Sequence, residues 1–69
     1  MTTQSNSSTR PRAKVIGQDG NVFNILAICS KALKRAGLHT EAGDMQKRVF
    51  ESSSYDAALA IMMKYVDFI

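Results

Sequence analysis

Two of the side chains that most often build sites are nearly missing from this sequence, which has one cysteine, Cys29, and one histidine, His39, in 69 residues. A single thiol allows no intrachain disulfide, and a structural zinc site, which takes four Cys or His ligands at set spacings, lacks its ligands. No apolar run approaches the ~18 residues that span a membrane. Residues 1–9 also lack the basic stretch followed by an apolar stretch that marks a secretory signal. The expectation is a cytoplasmic protein without disulfide, metal or cofactor, and without a small-molecule substrate.

Phosphate and cation loops are missing too. Gly17-Gln18-Asp19-Gly20-Asn21 leads into a helix start, where free N–H groups attract anions. It has neither the Gly-Lys-Ser/Thr of a P-loop nor the three spaced glycines of a dinucleotide site. A calcium loop begun at Asp19 has Phe23 where an oxygen ligand belongs. The segment therefore reads as a plain turn and helix cap.

What is present is enough for one small domain. A folded chain of about 60 residues buries only about 60% of the surface its unfolded form exposes, and so small a core rarely supplies more than about 3–5 kcal/mol. The apolar fraction of 45% favours association with another chain as the supplement. Charge is uneven: residues 1–40 carry six cationic side chains against Asp19 alone, net +5, and residues 41–69 carry three against five carboxylates, net −2. Such asymmetry suits an anionic partner or contact between copies.

Along the chain, residues 1–12 are polar and of low complexity, cannot repay the entropy of ordering, and are expected as a disordered arm. Residues 13–69 are then the single domain. Its minimal strand candidate, Val15-Ile16 in residues 14–16, needs a partner, and the tail at 66–69 can supply one or can extend the last helix.

Three helices follow. In the first, starting at Asn21 or Val22, the residues Val22, Ile25, Leu26, Cys29, Ala32, Leu33 and Ala36 share one face. Asn24, Lys31, Lys34 and Arg35 share the other, and Gly37 stops the helix in a left-handed C′ position with Leu38 folding back. Thr40 is the expected cap of a second helix over 41–51, with Ala42, Met45 and Val49 inward and Phe50 at the edge. Gly43 weakens this helix, while Asp44 with Arg48 and Lys47 with Glu51 support it. Ser53-Ser54-Tyr55-Asp56 has the form of a capping box for a third helix over 55–65, inward through Tyr55, Ala58, Leu59, Met62, Tyr65 and Val66. Ile61 and Met63 widen its apolar arc well beyond the ~100° of an ordinary surface helix. The fold class expected is mostly α, a three-helix domain with a minimal two-stranded ribbon.

Catalytic candidates lack partners. Cys29 falls on an apolar face, where a thiol acts as a small hydrophobe, and His39 lies between helices with no second base beside it. Asp19, Glu41, Asp44, Glu51, Asp56 and Asp67 sit mostly at helix starts or on polar faces, so capping and solvation explain them. An enzyme is not expected.

Two surfaces remain. The broad third helix makes Ile61, Met62, Met63, Tyr65 and Phe68 the candidate interface with a second copy or another protein. The cations Arg10, Arg12, Lys14, Lys31, Lys34 and Arg35 are the alternative, a weak nucleic-acid contact. A helix-turn-helix with Gly37 in its turn is excluded, because the apolar positions it needs six and nine residues later hold Gly43 and Gln46. No aromatic interleaves the basic stripe for base stacking either.

Gly17-Gln18-Asp19-Gly20-Asn21-Val22-Phe23-Asn24-Ile25-Leu26, Ala32-Leu33-Lys34-Arg35-Ala36-Gly37 and Ser54-Tyr55-Asp56 with Leu59, Met63, Tyr65 and Val66 make the chain resemble a group of small proteins from bacteria, phages and mobile elements. That group has no established activity. The resemblance implies company with mobile elements, an accessory or inhibitory factor, and assigns no functional residue.

Overall fold

The computed structural model describes residues 10–69, so most of the arm expected over 1–12 lies outside the described residues. Within them the order is β1 (Arg12–Ala13), α1 (Val22–Arg35), α2 (His39–Phe50), α3 (Tyr55–Met63) and β2 (Asp67–Phe68). The chain is mostly helical, and its two strands pair in parallel as a minimal ribbon.

Both ends of α1 follow from local chemistry. The Phe23 N–H donates to the Asn21 side chain at 2.8 Å, the Asn21 N–H donates to the Asp19 carboxylate at 3.1 Å, and the Asn24 amide donates to the Asp19 carbonyl at 2.9 Å. At the other end Gly37 takes φ 81°, and the Gly37 and Leu38 N–H groups donate to the carbonyls of Lys34 and Leu33 at 3.0 and 2.9 Å. This Schellman closure satisfies carbonyls that the helix leaves open.

The same closure corrects the start of α2. Leu38, pinned back onto α1, is itself the N-cap residue and makes no side-chain cap, so the helix starts at His39 with Thr40 inside its first turn. Neither Asp44–Arg48 nor Lys47–Glu51 closes as an ion pair; among the described residues only Arg10 and Asp67 do, at 3.0 Å.

The cap of α3 is Ser54, not Ser53. Ser54 is extended (φ −157°, ψ 164°) and its hydroxyl accepts from the Ala57 N–H at 3.1 Å. Ala57 stands where a capping box needs a carboxylate or amide, so the reciprocal bond is missing. The helix also ends at Met63, short of residue 65: Lys64 and Tyr65 donate to the Ile61 and Met62 carbonyls, three residues back, both at 3.0 Å, and beyond this tighter turn Asp67 donates to the Pro11 carbonyl and Ile69 to the Ala13 carbonyl, both at 2.9 Å.

The ribbon is therefore displaced from the expected pairing of 14–16 with 66–69. Its register sets Arg12 against Asp67 and Ala13 against Phe68, while Val15 and Ile16 both donate to the Ile69 carbonyl at 2.8 Å. Parallel pairing requires a long crossover, and the three helices form it. Arg12, assigned from its composition to the arm, thus belongs to the domain.

The core draws on β1, the three helices and the turn before β2, with Phe68 packed against it. Ala13, Ile25, Leu26, Cys29, Leu33, Ala42, Met45, Val49, Ala58, Met62 and Val66 are buried, with Leu33, Met45, Met62 and Val66 the largest wholly enclosed side chains. Ala36, expected on the inner face of α1, is exposed because the chain turns away there, and Ser30 is buried in its stead. Ser30 accepts a hydrogen bond from the Gln46 amide at 2.9 Å, joining α1 to α2.

Two glycine substitutions should have opposite effects. Gly37→Ala forces an L side chain into left-handed backbone and is expected to lower stability by about 1–2 kcal/mol. Gly43→Ala lies inside α2, where an added Cβ meets nothing within 4 Å, and is expected to raise stability by about 0.5–1 kcal/mol. Urea unfolding followed by circular dichroism measures both, and effects of the same sign would contradict this account of the α1–α2 turn.

Candidate functional site

Two surfaces stand out, one basic and one aromatic. The basic one begins with strand alternation. Ala13 turns inward and is buried, and its neighbours Arg12 and Lys14 are exposed on the side away from it. On α1, Lys31 and Arg35 are one turn apart and share a face. The ribbon lies along that face, so Arg12, Lys14, Lys31 and Arg35 line one open groove of about 640 Å³, with Ala27, Ile28 and Ala32 among its apolar lining.

A second groove of about 500 Å³ lies on the other side of Lys31 and Arg35, between α1 and α2, lined also by Lys34, Ser30 and Gln46. Lys31 and Arg35 form the ridge between the two. Among the described residues no acidic side chain lines either groove. Like charges at i and i+4 cost about 0.2–0.5 kcal/mol in an isolated helix, and this pair has no carboxylate in either groove to offset that cost.

Five of the six expected cations are thus brought together. Arg10 is not among them: its guanidinium pairs with Asp67 at 3.0 Å and donates to the Met63 carbonyl at 3.4 Å, at the end of α3. There it serves the ribbon and the helix terminus.

The interface expected on the third helix is smaller than its apolar breadth indicates. Met62 is wholly enclosed and belongs to the core; Ile61, Tyr65 and Phe68 are half-buried and pack against it; only Met63 is substantially exposed. With few residues to fill a core, the domain uses most of this arc itself.

The exposed aromatic surface lies elsewhere and was not legible as a site in the sequence. Phe23 on α1 and Phe50 on α2 are 65% and 66% exposed, yet their rings meet at a centroid distance of 6.5 Å, tilted by 41°. With Val22, Val49, Tyr55 and Ala58 they line a groove of about 350 Å³ edged by Ser52, Ser53 and Ser54, with no charged residue in its lining. Tyr55 is held by its hydroxyl, which donates to the Gly20 carbonyl at 2.6 Å. The available signal was that Phe23 and Phe50 are large aromatics off the inner faces of their helices.

The remaining candidates are Cys29 and His39. Cys29 is 0% exposed, and burial pushes its thiol from the ordinary 9.0 up to about 11. His39 is exposed at the first residue of α2. Among the described residues no group of three His, Cys, Asp or Glu side chains is placed to hold a metal ion, and no helix is long and apolar enough to cross a membrane.

Cys29 should resist alkylation by iodoacetamide at pH 8 in the native protein and react readily in urea, because the reactive thiolate is suppressed by burial. Its folded-state value lies above its unfolded one, so its contribution to stability is complete below about pH 9 and is lost as pH rises toward about 11. Fast labelling without denaturant would show that the core around Cys29 opens. No family model matches the chain, and no curated protein or solved structure does either.

Proposed function

We propose that the protein is a non-enzymatic, cytoplasmic interaction module that pairs with a second copy of itself through the Phe23–Phe50 surface. The observation that carries this reading is the aromatic pair itself, two rings from different helices already in contact and about two-thirds exposed. An apolar centre with an uncharged serine edge matches the anatomy of interface cores, which are rich in aromatics and poor in charge. The contact between the rings, worth about 0.5–1.5 kcal/mol, limits the freedom lost on docking.

A two-fold pairing places the same patch against itself. At roughly 1.5–3 kcal/mol for each fully buried Phe, four such rings, two-thirds exposed, contribute roughly 4–8 kcal/mol against an association cost of about 4–15 kcal/mol. The four rings alone meet only the low end of that cost, so the dimer is weak and reversible and draws also on Val22 and Tyr55 of the same groove. Cys29 as a free thiol suits a reducing compartment. The resemblance of the glycine turn and the Ala-Leu-Lys-Arg-Ala-Gly helix end to small proteins from bacteria, phages and mobile elements supports an accessory or inhibitory role in a phage or mobile element.

Sedimentation velocity at a protein concentration on the order of hundreds of micromolar, a range that resolves weak dimers, is expected to show dimer for the wild type and monomer for Phe50→Asp, with unchanged helical circular dichroism. Met63→Asp is expected to leave the dimer intact. A monomeric wild type would refute self-association, and loss of the dimer with Met63→Asp alone would return the interface to α3.

A further inference from the structure

We infer that the two grooves flanking Lys31 and Arg35 form a track for the phosphodiester backbone of a nucleic acid, held without regard to base sequence. This is independent of self-association, since the basic grooves share no lining residue with the Phe23–Phe50 groove. Cations from separate elements converge here. Arg12 and Lys14 come from the ribbon and Lys31 and Arg35 from α1, and the tertiary fold sets them around one groove with Lys34 in the next.

Among the described residues none of the five closes an ion pair, and no acidic side chain lines either groove. Asp19 and Asp67, the carboxylates of the flanking segments, are held by the Asn21 N–H and by Arg10. Charge arranged along two grooves and the ridge between them fits a linear polyanion, which can follow a groove with its phosphates. Ser30 and Gln46, bonded to each other across α1 and α2, brace the wall of the second groove beneath these cations. No aromatic lines either groove, so bases have nothing to stack on. Binding should therefore be electrostatic, indifferent to sequence and steeply dependent on salt.

Fluorescence anisotropy of labelled single-stranded and duplex oligonucleotides, titrated with the full chain at several salt concentrations, tests this. Four to five cations predict a slope of log K against log salt of about −3.5 to −4.5 for duplex, and about three-quarters of that for single strands. Lys31→Gln/Arg35→Gln is expected to reduce the slope by about 2 and weaken binding at least tenfold at low salt. Lys47→Gln/Arg48→Gln makes the same charge change on exposed residues of α2 outside both grooves, and is expected to leave the slope unchanged. Unfolding midpoints verify that both variants fold.

Binding of either oligonucleotide with this dependence supports the track, and the two arms show which backbone it holds. Absence of binding at the lowest salt, an equal loss in both variants, or a slope that Lys31→Gln/Arg35→Gln does not alter would overturn it. So would Lys31- and Arg35-dependent binding to phosphatidylserine vesicles without binding to DNA.

Discussion

The Ile69 carbonyl accepts the N–H groups of both Val15 and Ile16, and the Ile69 N–H returns to Ala13. Through these bonds and that from Asp67 to the Pro11 carbonyl, the beginning of the described chain is held against its end. A ribbon this short has no stability in isolation, so it persists only because Ala13 and Val66 are buried beneath it among the helices. The Arg10–Asp67 pair beside it is half exposed and contributes about 0–1 kcal/mol; backbone bonds and core burial supply the rest. Without the ribbon, Arg12 and Lys14 would have no fixed relation to α1.

The core explains where the surfaces fall. Three short helices enclose few side chains, so each inward methionine is needed, and Met45 and Met62 are wholly buried. The breadth of apolar surface on α3 is used to seal this core from more than one side. Phe23 and Phe50 lie outside that enclosure at the meeting of α1, α2 and the start of α3, where serine-rich backbone and the anchored Tyr55 leave a groove open. The large apolar surface available to a partner is therefore at a junction of helices.

The two surfaces differ in how they arise. The basic grooves join a helix face visible in the sequence as Lys31, Lys34 and Arg35 to a strand whose placement depends on pairing with residues at the far end of the chain. The aromatic groove joins single residues from separate helices, neither of which forms a pattern alone. Patterns within one element survive reading as a string. Coincidences between elements do not.

By itself the sequence determined what nearest neighbours and helical periodicity control: a capped start of α1 at Asn21 or Val22, the Gly37 stop, the inward Ala42, Met45 and Val49, and the three helices, since each follows from hydrogen bonds or side-chain spacing within a few residues. Choices between equivalent local options needed the tertiary structure. In the packed chain Ser54 prevailed over Ser53, and Leu38 over Thr40, the latter because the Schellman closure of α1 pins Leu38 back. The same packing took Met62 for the core and Arg10 for Asp67, and it assembled the Phe23–Phe50 contact and the basic groove, whose parts are distant in sequence and become neighbours only when the ribbon closes.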